Sequence, residues 1–383
     1  MPLLFIPLIF ILISFILFGL ALLFIYRRYL SQQDKKLLDY TYLPHSKAKF
    51  EFINDSNLNH EKITEETIQT LNKNISALYL VHGTFVGEDP FHLIKLIEMI
   101  LPKEADFVSS RLKSLTKSGQ DLVTQDKGNF TSVHLDYLNK YFTDLPIKNF
   151  KWSSGNHHVA RVKGMIDLAK QLSVSHEKKD RVLLVGHSHA GQVFSLLMQF
   201  IYAKPFQDFI LSTFASEFNP EFSKHMLPKL KSLTFDIVTM GAPPRYEWPE
   251  SERVNILHFI NHRLEIPFAG KLSGAITTKD GDYIQQWGIS GSDFLSLIDE
   301  EKKLNKALDP ILGVGASPKK LRSELLQRRR LHNIGHHYLV DYGDGGKFPN
   351  FGLTVFGHSI YTRKDLLGFH FNLIAKQLYS NKK

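Results

Sequence analysis

The sequence predicts an α/β fold, a mainly parallel β-sheet with helices on both faces, preceded by one N-terminal transmembrane helix. Three observations predict it. Short continuous apolar runs such as ALYLV and RVLLVG alternate with longer segments that are apolar at helical spacing, the pattern of buried parallel strands joined by crossover helices. At 383 residues, with 43% hydrophobic and 22% charged side chains, the chain has enough apolar surface for a sizeable core. The first 26 residues carry no charged side chain, and roughly 20 apolar residues span the hydrocarbon layer of a bilayer.

Residues 1–26 are therefore expected to be a membrane anchor. Arg27 and Arg28 follow it directly, with Lys35 and Lys36 close behind. Under the positive-inside rule this places the rest of a single-pass protein on the cytoplasmic side. No early positive charge or small-residue cleavage site marks a signal peptide. Residues 27–75 read as a polar juxtamembrane arm ending in a short helix, and residues 76–383 as the folded domain.

Within that domain, ISALYLV is a strand released by Gly83 into a loop, and FHLIKLIEMILP (91–102) a helix stopped by Pro102. PIKNFKW gives a second strand ending near Trp152, then a polar loop and a helix over 159–172. RVLLVG is the clearest central strand, with QVFSLLMQFIYAK as the helix after it. LTFDIVTMGAPPR (233–245) is a strand that Gly241 and two prolines end, and RVNILHFIN (253–261) is the next. Residues 262–336 are irregular and read as an excursion over the sheet, a lid or substrate wall. YLVDYG and LTVFGHS form two short strands around GDGGKFPNF, and DLLGFHFNLIAKQL closes the chain as an amphipathic helix.

The chain has no cysteine, which excludes disulfides, thiolate catalysis and Cys-ligated metals. Its net charge of +9 favours anionic surfaces, but no Lys/Arg block interleaved with aromatics forms a nucleic-acid groove, so anionic membrane lipid is the expected partner. No convergent ligand set predicts a metal, and no cofactor is expected.

The segment Gly186-His187-Ser188-His189-Ala190-Gly191 joins a strand to a helix at the carboxyl edge of the sheet, where open α/β sheets gather reactive groups. A sharp turn there lifts Ser188 as a nucleophile, and small neighbours give it room. The usual spacing is Gly-x-Ser-x-Gly; here Ala190 stands at the fifth position. The alternative is a serine that only caps the helix. A developing oxyanion needs donors around the same point: the backbone N–H of His189, and Thr84 in the VHGTF loop. His82 reads as a loop organiser. For the base, a late histidine is wanted, and His358 is best placed because LTVFG delivers it and Tyr361 steadies its loop; His336, His337 and His370 are alternatives. The His157-His158 pair lies beside a strand end with substrate, metal or no ligand all open. Asp282 is the favoured acid, since the turn at Gly281 carries it into an aromatic segment. Glu265, Asp293 and Asp341 are the other carboxylates in play.

These motifs resemble the α/β-hydrolase superfamily and, within it, the class 3 type lipases. The similar features are the strand and HGT loop at 79–85, GHSHAG at 186–191, TMGAPPR at 239–245, RVNILHFINHRLEIP at 253–267 and His-x-x-Tyr at 358–361. The resemblance implies acyl-ester hydrolysis through a serine acyl-enzyme, on a lipid or other hydrophobic ester. It also implies an acid in an Asp-x-Val-Pro turn after the RV strand; this chain has Leu264 at that place and Glu265 one step on. An acyltransferase or thioesterase using the same residues, and a catalytically silent binding or scaffold protein, are the competing readings.

Overall fold

Seven strands form one sheet among the described residues: β1 (Lys49–Asn54), β2 (Ala77–Val81), β3 (Ile147–Phe150), β4 (Arg181–His187), β5 (Thr234–Met240), β6 (Val254–Asn261) and β7 (His336–Asp341). Their order is β1-β7-β6-β5-β4-β2-β3, and every neighbouring pair is parallel. The computed structural model describes residues 48–54, 58, 62–83, 129–174, 180–218, 222–263, 278–285, 298–313, 331–343 and 357–380. These all belong to the unit His45–Lys383.

The apolar runs form strands that are buried on both faces, so successive side chains enter opposite cores. In β2, Ala77, Tyr79 and Val81 join one core, and Leu78 and Leu80 the other. In β4, Val182 and Leu184 divide from Leu183 and Val185 in the same way. On the second face lie α1 (Glu65–Asn74) and α2 (Ser132–Asn139), which contribute Leu71 and Leu138. The first face is covered by α3 (His158–Val174), α4 (Ala190–Tyr202), α5 (Lys204–Thr213), α6 (Leu227–Ser232) and α7 (Asp299–Leu312). The last helix, α8 (Leu367–Ala375), returns to the second face with Phe371 and Ile374. A parallel sheet with helices on both faces in this arrangement matches an α/β-hydrolase-like fold.

From β2 the chain moves outward to β3, then returns to lay β4 on the other side of β2. β2 and β4 are therefore neighbours whose next strands lie in opposite directions along the sheet, which makes this pair the topological switch point. Gly83 follows β2 and Ser188 follows β4, so the topology brings both to the carboxyl ends of these neighbouring strands.

Residues 49–54, expected within a polar arm, are the edge strand β1. KFEFIN alternates apolar and polar residues, pairs only with β7 among the described strands, and is exposed along almost its whole length. A strand that packs only one residue, Ile53, against a core carries no continuous apolar run, which is why it reads as a linker. The short helix expected at the end of the arm is α1. Thr64 caps it by accepting a hydrogen bond from the Thr67 N–H at 3.2 Å, with Glu65 and Glu66 in the first turn and Lys73 in the last. The helix expected over 91–102 and residues 353–356 of the strand LTVFG lie outside the described residues.

The expectation of a single-pass membrane protein is corrected. No helix among the described residues is long and apolar enough to cross a membrane, and residues 1–26 lie outside the described residues. Even α3, with 17 residues, falls short of the roughly 20 that a span requires, and it carries Arg161, Lys163, Asp167 and Lys170. The transmembrane helix, the membrane as a partner and the cytoplasmic single-pass placement that depended on it are not carried further.

Candidate active site

Ser188 sits between β4 and α4 with φ +57°, a left-handed conformation that costs a non-glycine residue about 1–3 kcal/mol. The turn is held on both sides. The Ser188 N–H donates to the Met240 carbonyl at 2.8 Å, and the Ser188 carbonyl accepts from the Gly191 N–H at 3.0 Å. Two glycines permit this approach. A Cβ on Gly83 would fall 2.5 Å from the Ser188 Cβ and 2.8 Å from the His187 carbonyl oxygen. One on Gly186 would fall 2.5 Å from the Phe194 ring and 2.8 Å from the Ala190 methyl. Space is thus short at Gly186 itself, while the methyl of Ala190 is accommodated. His189 is the N-cap of α4, at the positive end of that 13-residue helix.

His358 and Asp282, 76 positions apart in sequence, are brought together: His358 Nδ1–H donates to Asp282 Oδ2 at 2.7 Å. Asp282 is fully buried. The Tyr361 hydroxyl donates to the same Oδ2 at 2.9 Å, and the Gln285 N–H donates to Oδ1 at 2.9 Å. Burial first, then the Asp282 charge, raises the Tyr361 phenol well above its ordinary value, so it stays protonated and donating. The chain leaves the end of β6 and comes back to it at Gly281, which bridges to His262, and the Asp282 N–H donates to the Asn261 carbonyl at 2.9 Å. Asp282 therefore lies against the end of β6, although it is 21 residues beyond Asn261 in the sequence.

Side chains from three elements hold the segment that bears His358. Asn261 Nδ2 donates to the Gly357 carbonyl at 2.9 Å, and His187 Nε2–H donates to the next carbonyl, that of His358, also at 2.9 Å. His134 Nδ1 accepts from the Thr131 N–H, leaving its Nε2–H to donate to the Thr362 carbonyl at 2.6 Å. Ser188 and His358 are both buried, and neither Ser188 Oγ nor His358 Nε2 has a hydrogen-bond partner among the described residues.

The other expected residues go elsewhere or are outside the described residues. Asp341 accepts from Arg263 Nε and from the Gly343 N–H, both at 2.8 Å. Thr84, Glu265 and Asp293 lie outside the described residues. His336 is half-buried on β7 near Glu51. His370 accepts from the Tyr342 hydroxyl through Nε2 at 2.9 Å, and burial lowers it to about 3. His337 belongs to a buried stack with His258 and His332, whose rings lie 4.4 Å and 5.9 Å from its own; His258 and His332 are 3.9 Å apart. His82 organises its loop: Nε2 accepts from the Trp152 N–H at 3.3 Å and Nδ1 meets Ser154 Oγ at 3.1 Å. His158 fixes the start of α3 by accepting from the Tyr246 hydroxyl at 2.6 Å. Among the described residues no group of three or more His, Asp or Glu side chains is arranged to hold a metal ion. His187, Asn261 and His134 carried no sequence signal, because each acts on a backbone carbonyl about a hundred or more positions away.

No family model matches the chain, and no curated protein matches it. Among solved structures, it is similar to a crystal structure described as a candidate cell surface hydrolase from Lactobacillus plantarum WCFS1, at 10% identity and a TM-score of 0.24. That overlap covers 67% of this chain and 98% of the other. The fold assignment rests on the sheet order and its two helical layers, not on this likeness.

Proposed function

We propose that the protein is a serine hydrolase that cleaves a carboxylic ester through an acyl-enzyme, with Ser188 as nucleophile, His358 as base and Asp282 as the acid that orients it. One observation supports the reading: a serine in strained backbone directly follows His187, which bonds to the backbone of His358, an imidazole whose Nδ1–H is held by a buried carboxylate. An Nδ1–H tautomer leaves His358 Nε2 as the basic nitrogen.

In the first half-reaction Ser188 Oγ attacks the ester carbonyl while its proton passes to His358 Nε2. The negative charge collects on the carbonyl oxygen, where the His189 N–H at the start of α4 donates to it. A second donor is assigned to Thr84 from its sequence position, one residue past Gly83. His358 then returns the proton to the departing alkoxide, the carbon–oxygen bond breaks and the acyl group stays on Oγ. Water, deprotonated by His358, attacks the acyl-enzyme and releases the acid and the serine. The similarity of the motifs to class 3 lipases supports a substrate with an apolar acyl chain.

A series of p-nitrophenyl esters from acetate to palmitate tests this. We expect turnover that depends on chain length and disappears in Ser188→Ala; turnover unchanged by that substitution would sink the assignment. One observation favours a non-catalytic binding role, namely that Ser188 Oγ and His358 Nε2 do not bond to each other. Catalytic hydrogen bonds often tighten only in the substrate complex, and an enzyme silent towards every ester in the series would support the binding role.

A further inference from the structure

The geometry points to His187 as a positioning residue for His358, coupling the nucleophile's strand to the base; the inference rests on the reading of Ser188 and His358 as the reacting pair. His187 is the last residue of β4 and directly precedes Ser188. It is almost fully buried, and its Nε2 lies 2.9 Å from the His358 carbonyl oxygen. A carbonyl only accepts, so Nε2 carries the proton and donates. The two imidazoles also pack against each other in a tilted arrangement, with ring centroids 4.6 Å apart and planes inclined by 41°. His187 thus restrains both the backbone and the ring of His358.

Asn261, the last residue of β6, holds the preceding carbonyl, that of Gly357. Consecutive carbonyls are therefore tied to the ends of two strands, β6 on one side and β4 on the other. Asp282 fixes the direction in which the His358 ring points, while His187 fixes its distance from the strand that carries Ser188. Because His187 and Ser188 are adjacent, the restraint acts from the nucleophile's own backbone. An error of about 1 Å in such placement costs on the order of 100-fold in rate.

Two substitutions in the full-length protein separate the parts. His187→Gln keeps an amide N–H near the position of Nε2, whereas His187→Phe keeps a ring against His358 and loses the donor. The readouts are the second-order rate of fluorophosphonate labelling and the low-field proton resonance of His358 Hδ1, assigned by its loss in His358→Gln. We expect His187→Phe to label about 10- to 100-fold more slowly and to shift or broaden the Hδ1 signal, and His187→Gln to recover most of both. A wild-type rate and an unchanged resonance in His187→Phe would overturn the inference, as would equal losses in the two variants. Should His187→Phe lose its cooperative melt, His187→Asn, whose shorter amide does not reach the carbonyl, replaces it. If wild-type Ser188 does not label at all, the hydrolase reading fails; the Hδ1 comparison still decides whether His187 holds His358.

Discussion

Asp282 Oδ2 receives hydrogen bonds from two side chains, His358 Nδ1–H at 2.7 Å and the Tyr361 hydroxyl at 2.9 Å, inside a region closed to solvent. In the proposed mechanism this carboxylate keeps His358 in the tautomer with its proton on Nδ1, leaving Nε2 to take the serine proton. Asp282→Asn presents an amide that favours the opposite tautomer. Labelling by a fluorophosphonate and ester turnover should both fall on the order of 10⁴-fold. Rates within a few-fold of wild type would remove Asp282 from the mechanism.

The left-handed backbone of Ser188 and its buried hydroxyl, which has no hydrogen-bond partner among the described residues, oppose stability. Ser188→Gly relieves both, since glycine adopts positive φ without steric cost. We expect a gain of about 1 kcal/mol in unfolding free energy, read from urea denaturation, together with loss of turnover. A destabilised variant would show that the serine side chain is part of what holds the turn.

The stack of His258, His332 and His337 predicts acid sensitivity. His332 Nδ1 accepts from Trp248 Nε1–H, and His337 Nε2 accepts from the His332 N–H. Burial, followed by neighbouring imidazoles, holds His258 and His332 well below their ordinary value; burial puts His337 at about 3. Unfolded histidines titrate near pH 6.5. Between about pH 6.5 and 3 the unfolded chain therefore binds more protons than the folded one, so stability rises with pH across that window and is lost as the medium is acidified. Each such group contributes up to about 1.4 kcal/mol per pH unit. Urea midpoints at pH 7.5 and 5.0 should differ accordingly, and His332→Phe should flatten the dependence. An identical pH slope in that variant would contradict the role assigned to the stack.

Parts of this architecture were legible because their cause is local. RVLLVG is buried on both faces, so its apolar run is continuous, and the small residues of GHSHAG reflect the narrow space around Gly186 and Ala190. The turn at Gly281 pointed to Asp282 for a similar reason, since Gly281 there has φ +112° and lies against Asn261. What escaped reading depends on distant partners. β1 is an edge strand that packs only Ile53 partly against a core, so its pairing with β7 is what reveals it. His187 looks like any residue of the motif until His358 is laid against it. The apolar N-terminal run suggested a membrane span from composition alone, and no described helix has that character.

The central claim is that Ser188 is an activated nucleophile. The most direct measurement is treatment of the purified protein with a fluorophosphonate, followed by intact mass and peptide mapping. The account predicts a single adduct on Ser188, absent from Ser188→Ala and formed far more slowly in Asp282→Asn. Equal labelling of wild type and Ser188→Ala, or an adduct on a different residue, would contradict it.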